Sequence, residues 1–520
     1  MDYIARLGQL KTERTPAEGW WNEVATHLDV VKSPTKDGVA QWALEQFATG
    51  LHGTLTNPTQ QWFGLMTKDP NLMMNLELRN HIDQLEKACY SVFNDADSNF
   101  NNRLAELYLD VGLYGTGVMY MEQRPKDVCP MRFYTIPITQ CYLAENAQDK
   151  IDTVYRVIKM SNKNIISSWE KEAPEIVKKE VLKEPFNKRE ILHAVEPAEG
   201  KQKGYVSAFI DIETKMVLEE KIIEFFPYLT PRWSKKSGEL YGYSPSRIAL
   251  PEIKALNKTK KSILRAVQKR VDPPVIMPND SIINDLSFDA GNIMFYKKSD
   301  FKPDLIQEFG GSADINPAYQ VMMENQQAIL RAFYVEVFKL GKEHISMTAT
   351  ESTQRTMEQL RLMAPMLSRF EAEFMTPLIE ATINTLYKWY YMAKPPKIEQ
   401  EGKKGGIEIN IEFVSPIAQA QRSHEIQNAI QFWGSAKDIA EVDQTVLDNV
   451  DLNNLLRAFG NMYKVDSTII RTDKEVQQIR QQRQQMQQAQ QQREQEQEML
   501  KQFEGHGEEM GGMLSEEPPR

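Results

Sequence analysis

Residues 245–270 constrain the chain most. Ser244-Pro245 supplies a helix cap followed by a first-turn proline, and Asp272-Pro273-Pro274 forces a stop. The spacing therefore predicts one unbroken rod, about 39 Å long. At about 100° per residue, Arg247, Lys254, Lys258, Lys261, Arg265 and Lys269 fall within an arc of about 80°. Leu256, Ile263 and Val267 occupy the opposite side, with Ile253 and Leu264 flanking them. The rod is a basic rail beside an apolar seam. A merely solvated surface is one explanation of such a stripe. An acidic partner surface or a polyanion lying opposite is the other.

The charge balance gives that choice its weight. Lys+Arg 62 against Asp+Glu 72 leaves the 520-residue chain at −10, yet the arc holds cations alone. The same balance argues against a protein that wraps nucleic acid with a broadly basic surface. A length of 520 residues suggests about three or four structural units, and 41% hydrophobic with 9% aromatic residues suffices for more than one core. Cys89, Cys129 and Cys141 show no CxxC spacing and predict buried or semi-buried thiols of a reducing compartment. The N-terminus lacks the apolar core of a secretory signal, and no window approaches eighteen uninterrupted apolar residues. A soluble, intracellularly made chain without a membrane partner is expected.

Around the rod, the first quarter reads as helical. Trp20, Trp21, Val24, Leu28 and Val31 recur at helical spacing, as do Trp42, Leu44, Phe47, Leu51 and Leu55. Two more helices are predicted over 70–98 and 99–113. Gly112, Gly115 and Gly117 then mark a change to extended chain, with Val118–Met121 the first plausible strand. From 118 to 233 short runs rich in β-branched and aromatic residues predict strands at 132–136, 153–158, 205–212 and 217–226. They surround one charged helical stretch, 162–184, and a hairpin bend falls near Asp211, Glu213 and Thr214.

After the rod, 273–315 is a small insertion with strand-like pieces at 275–277 and 293–296. A second helix is predicted over 317–339, and a polar loop over 341–347 leads into a third helix, 349–391, bent at Pro365 and Pro377. A strand at 407–413 precedes a helical region to about 463. Residues 474–502 are glutamine-rich with sparse apolar positions (Val476, Ile479, Met486, Met499, Leu500), so they either bundle with copies of themselves or stay disordered. The last eighteen or so residues, rich in Gly and Glu, are expected to be disordered.

No catalytic motif emerges. Gly341-Lys342-Glu343 and Gly402–Gly405 lack the upstream glycine and the Ser/Thr of a phosphate loop, and Gly112–Gly117 follows a helix rather than a strand, as a helix stop does. His27, His52, His81, His193, His344, His424 and His506 are scattered without metal-ligand spacing, and no Gly-x-Ser-x-Gly elbow occurs. The expectation is no enzyme, no metal and no cofactor. The loop Lys342-Glu343-His344-Ile345-Ser346 projects from the shared end of two helices, as a plain turn or as something more.

Several strings in order carry a resemblance. They are Trp20-Trp21-Asn22-Glu23, Leu51-His52-Gly53-Thr54-Leu55-Thr56-Asn57-Pro58 with Trp62-Phe63, and Tyr114-Gly115-Thr116-Gly117. Then come Phe226-Pro227, Pro231-Arg232-Trp233, Gly238-Glu239-Leu240-Tyr241-Gly242-Tyr243-Ser244-Pro245, Ala249-Leu250-Pro251, Leu256-Asn257, Asp272-Pro273-Pro274 and Met347-Thr348-Ala349-Thr350-Glu351. Over roughly residues 15–400 this ordered set resembles podovirus portal proteins, the head-to-tail connectors of T7-like phages. The Arg-Trp, Tyr-Gly-x-Ser-Pro and Thr-Ala-Thr-Glu elements are specific as a series.

The resemblance implies a mainly α fold with α+β parts: a portal-type subunit with wing, two-helix stem, small clip insertion and helical crown, assembling as a ring. It implies a wing at 1–243, stem helices at 244–271 and 316–340 around a clip at 272–315, and a tunnel loop at 341–348. A long wing helix and strand would fill 349–414, a crown 415–473, and the glutamine-rich helix and tail 474–520. The function implied is a homo-dodecameric channel at one capsid vertex of the virion, made in the host cytoplasm, for genome packaging and ejection. Its partners would be double-stranded DNA held without sequence preference, the packaging ATPase (terminase), a tail adaptor protein, capsid and scaffolding proteins, and internal core proteins. Lys342, Glu343 and His344 would border the DNA channel. The basic rail would line the stem or meet a neighbour's acids. Competing readings are an oligomeric helical scaffold or adaptor that binds a partner through its glutamine-rich helix, and a metal-dependent nuclease.

Overall fold

The computed structural model describes residues 2–28, 36–69, 76–125, 127–198, 204–272, 275–278, 290, 293–296, 315–339, 363–389, 391–393, 409–414, 430–436, 438–439, 456, 475–490 and 493. These residues are mostly helical, with small sheets between. The chain divides into one unit of Met1–Lys68 with Gln84–Ala420 and another of Asp69–Asp83 with Gln421–Arg520.

Helices α1 (Tyr3–Leu28) and α2 (Val39–Leu55) are followed by strand β1 (Phe63–Thr67) and helices α3 (Leu76–Asn94) and α4 (Phe100–Tyr114). The helices match the apolar spacing. Strand β1 was not expected, because its five residues show no alternation: four of them are buried. On α1, Trp21 packs edge-on against Tyr114 and Tyr241, at 5.9 and 5.1 Å between ring centroids, and its indole N–H donates to the Tyr114 carbonyl. Two turns earlier on α1 the buried guanidinium of Arg14 donates to the carbonyls of Thr139 and Cys141, both at 2.8 Å, and lies 3.7 Å from the centre of the Tyr142 ring. A cation that satisfies otherwise orphaned carbonyls bolts α1 to the sheet edge that follows.

Strand β2 (Met119–Gln123) pairs antiparallel with β3 (Met131–Thr135). Strands β4 (Cys141–Glu145) and β5 (Ile151–Ser161) lead to two short helices, α5 (Asn162–Ser168) and α6 (Glu175–Glu180). The single helix expected over 162–184 is thus two. Pro174 disfavours helical geometry at Ala173 and restarts the helix after it. Strands β6 (Lys188–Pro197), β7 (Tyr205–Asp211) and β8 (Val217–Ile223) complete an antiparallel sheet in the order β4-β5-β6-β7-β8, and β9 (Tyr228–Leu229) returns to β2. Central β6 was unexpected too. Covered on both faces at 191–195, it has a continuous apolar run with no period of two. The β7–β8 bend matches expectation: the Asp211 carboxylate accepts from the Glu213 N–H and the Thr214 hydroxyl.

Helix α7 (Pro245–Val271) is the predicted rod, capped by the Ser244 hydroxyl, which accepts the Arg247 N–H at 2.9 Å. Strands β10 (Val275–Pro278) and β11 (Ile293–Tyr296) pair in parallel. Helix α8 (Asn316–Ala332) does not run to 339. The chain breaks at Phe333-Tyr334, where Tyr334 takes φ +57°, and α9 (Val335–Lys339) begins. Residues 340–362 lie outside the described residues. Beyond them helix 363–370 passes through a π-helical turn, Glu371–Met375, into α10 (Thr376–Lys388). Pro377 has no N–H, and its ring would clash with the Glu373 carbonyl in an α-helix. The turn widens instead, so that the Thr376 N–H reaches the Glu371 carbonyl. Strand β12 (Ile409–Phe413) pairs antiparallel with β1, Leu65 opposite Ile411.

In the other unit, 430–436 and 475–490 are helical, and Met486 is 72% exposed on the glutamine-rich helix. Cys89, Cys129 and Cys141 are all buried free thiols. Among the described residues no helix is long and apolar enough to cross a membrane.

One half-buried acid makes the fold pH-sensitive. Burial, with Glu106 one turn away, pushes the Asp110 carboxyl on α4 from 3.8 up to about 7. The unfolded chain sheds this proton from pH 3.8 upward while the folded chain keeps it until about 7. Stability therefore falls across that window and stays at the lower level above it. Asp110→Asn should abolish this component: thermal melts at pH 4 should differ little from wild type, whereas at pH 8 the variant should melt higher.

Candidate functional site

The basic rail of α7 has two unlike halves. Near the start of the helix, Arg247 pairs with Glu239 at 3.1 Å and stacks over the rings of Trp20 and Tyr243, at 4.8 and 4.4 Å. Two turns further, Lys254 bonds Glu23 of α1 at 2.7 Å, which holds the Glu23 carboxyl below its ordinary value. These two cations fasten α7 to its own chain. Lys258, Lys261 and Arg265 are exposed, Lys269 partly so, and none of the four has an ion-pair partner among the described residues. The underside also changes along the helix. Ile253, Leu256 and Ile263 are buried, but Val267 and Leu264, expected to belong to the seam, are 37% and 38% exposed. Toward its far end the rod thus carries four cations with no ion-pair partner among the described residues, above an apolar side that is more exposed than at its start.

Lys260 lies off the rail and pairs with Asp37 at 3.3 Å; Asp37 also accepts from Gln326 of α8. Asn257 accepts the Asp37 backbone N–H and donates to the His27 carbonyl. This cluster ties α7 and α8 to the α1–α2 connection. Lys342, Glu343 and His344 lie outside the described residues.

The root of α7 is set by a backbone crossing. Gly115 ends α4 with φ +77°, and a Cβ on it would meet the Gly242 carbonyl oxygen at 2.4 Å; a Cβ on Gly242 would meet the Gly115 oxygen at 2.1 Å. The Gly115 carbonyl accepts the Trp233 N–H, the Thr116 hydroxyl accepts the Gly242 N–H, and the Ser246 hydroxyl donates to the Gly112 carbonyl. Both glycine strings therefore serve close backbone packing, as a helix stop requires.

Beside the crossing lies Arg232, 1% exposed. Its guanidinium donates to both oxygens of Glu373 (2.7 Å at the shortest), to Glu145 at 2.9 Å, and to the carbonyls of Leu240 and Asp149. Its backbone N–H also donates to Glu373. Lys235 bonds Glu145 from the other side at 2.8 Å. Sequence reasoning missed Glu373 and Glu145, and it gave Glu23 no role beyond its place in the Trp20-Trp21-Asn22-Glu23 string. All three lie far along the chain from their partners, so no local signal marked the pairings.

His193 is held in the core by hydroxyls and an aromatic ring. It sits between the Tyr228 and Ser207 hydroxyls, at 2.6 and 3.0 Å, stacked on Phe209, and burial pushes it down to about 3. It is a neutral core residue. Among the described residues no group of three or more His, Cys, Asp or Glu side chains could hold a metal ion.

Comparison with known proteins places this geometry in context. The family model described as bacteriophage head to tail connecting protein matches residues 2–470. The portal protein of Salmonella phage epsilon15 is 25% identical over 517 residues, covering 92% of this chain and 90% of that protein. The probable portal protein of Bordetella phage BPP-1 is 24% identical over 506 residues, with the same coverage of 92% and 90%. Among solved structures, the neck of an empty GTA particle computed with C6 symmetry aligns with a TM-score of 0.37 at 10% identity, over 78% of this chain and 89% of that one.

The crossing at the root of α7 is testable through its glycines. Gly242→Ala should destabilise by about 1–3 kcal/mol, because the methyl group meets backbone that cannot move aside. Gly53→Ala, in α2 with nothing within 4 Å, should be neutral or stabilise by up to about 1 kcal/mol. Urea unfolding midpoints compare the two.

Proposed function

The chain belongs to the bacteriophage head to tail connecting proteins, and from that premise we propose that it is the portal subunit of a phage capsid vertex. About twelve copies close a ring through which the genome enters and leaves. Near-complete coverage by the connector family, together with two phage portal relatives over 92% of the chain, carries this reading. Residues 1–243 form the wing, α7 and the helices after the insertion form the stem, and 272–315 form the clip. Residues 341–348 are the tunnel loop, 349–414 the long wing helix and strand, 415–473 the crown and 474–520 the tail.

In such a ring each contact is heterologous and closes by rotation, so every lumen charge becomes a ring of charges. Lys258, Lys261, Arg265 and Lys269 face the channel in this reading, and Lys342, Glu343 and His344 border its narrowest part. That Lys258, Lys261, Arg265 and Lys269 have no ion-pair partner among the described residues supports their placement, since cations kept free of their own acids remain available to phosphates. The remaining acidic surface repels DNA, so the duplex is centred without being gripped. Contacts of this kind carry no sequence information. Work for packaging comes from a separate terminase ATPase, because this chain has no phosphate loop. The clip meets that motor and afterwards the tail adaptor, while the wing meets capsid and scaffolding proteins. Catalysis is no part of the role.

Light scattering should give about 720 kDa for a dodecamer of the 60.0 kDa chain; a mass of one or two chains would reject the ring. The triple variant Lys258→Glu, Lys261→Glu, Arg265→Glu should leave the ring mass unchanged and reduce the yield of filled heads. Loss of the ring would reassign the row to a contact between neighbours, and normal rings with full heads would remove it from the mechanism.

A further inference from the structure

We propose that the dipeptide Arg232-Trp233 couples two irregular helix turns, so that a disturbance at either turn is felt at the other. These turns are the break between α8 and α9 at Phe333-Tyr334 and the π-helical turn Glu371–Met375. They flank residues 340–362 on either side. The proposal concerns a single chain and does not depend on the ring.

Both turns are departures from regular helix that need outside support. Tyr334 holds φ +57° without being a glycine, a conformation that costs of order 1–3 kcal/mol. At the other turn, Pro377 prevents an ordinary α-helical bond and leaves the backbone widened. Adjacent residues supply support to each. Arg232 grips the π turn through the side chain of Glu373, using its guanidinium and its own N–H. Trp233, 1% exposed, packs against Tyr334 with ring centroids 5.9 Å apart and against Phe47 at 4.9 Å. Phe47 in turn lies 6.5 Å from Phe333 and 6.4 Å from Phe338, so one aromatic group spans the whole break.

The dipeptide itself is bonded on several sides. The Trp233 N–H is bound to the Gly115 carbonyl, and Thr116 bridges to Arg232 as an isolated antiparallel contact. Arg232 is pinned further by Glu145 and two carbonyls. One peptide unit separates the two side chains, and a buried cation cannot shift without moving its backbone neighbour. Coupling of this kind runs through packed side chains with few alternatives. Arg232 and Trp233 act as positioning residues.

Hydrogen exchange on the purified full-length protein tests the proposal peptide by peptide. Glu373→Gln keeps the shape of the side chain and removes the charge that Arg232 faces. It should speed exchange about tenfold at 371–377 and about threefold at 331–338, with β5 and β6 unchanged. Trp233→Phe should act in the reverse order, more strongly at 331–338 and measurably at 371–377. Effects confined to the turn next to each substitution would overturn the coupling, and so would no effect at either turn. If Glu373→Gln also speeds exchange in β5 and β6, the chain has loosened globally and Trp233→Phe alone decides. A uniform response in that variant as well would overturn the proposal.

Discussion

The buried guanidinium of Arg232 is the interaction on which the rest of the structure hangs. A positive charge withdrawn from water costs several kcal/mol, and only close partners on every side offset it. Arg232 obtains them from segments far apart in the sequence: Glu145 at the end of β4, Glu373 in the helix before α10, and carbonyls of two loops. Removing one of these carboxylates would leave the other, with the loop carbonyls, to offset the buried charge alone. The sheet, the loop leading into α7 and the last long helix are therefore fixed relative to one another by one side chain.

Where α7 starts follows from that anchor. Arg232 and Trp233 hold the chain against Gly115, the Gly115–Gly242 crossing brings Ser244 to its capping position, and the rod leaves the core from there. Its first half is tied down by Glu239 and Glu23 and its middle by Asp37, whereas Lys258, Lys261, Arg265 and Lys269 have no ion-pair partner among the described residues. Within a connector family member this division has a consequence. Charges that stabilise the subunit and charges free to meet another molecule lie on one arc of one helix, separated by about a turn. Counting cations on the arc could not distinguish the two kinds.

Much of the fold was legible because helices announce themselves locally. The spacing of Trp42, Phe47 and Leu51, the Ser244-Pro245 start and the Asp272 stop all act within a few residues. Strands β1 and β6 were not legible, since burial on both faces erases alternation, and β1 finds its partner β12 only after most of the chain has passed. The α8–α9 break was hidden for another reason. Tyr334 has no local cause to leave the helix; an aromatic cluster drawn from α2 and the Arg-Trp loop holds it there.

What the sequence determined by itself was the set of rods, their caps and breaks, the cationic arc, the absence of a phosphate loop and the ordered strings shared with phage connectors. All of these depend on neighbours along the chain or on the helical repeat. Only the tertiary structure decided which cations are spent on Glu23 and Glu239, which carboxylates neutralise Arg232, and that the two glycine strings touch. Most of those outcomes depend on distances between segments from 87 to 231 residues apart, where electrostatic and steric energies arise only once the chain has folded.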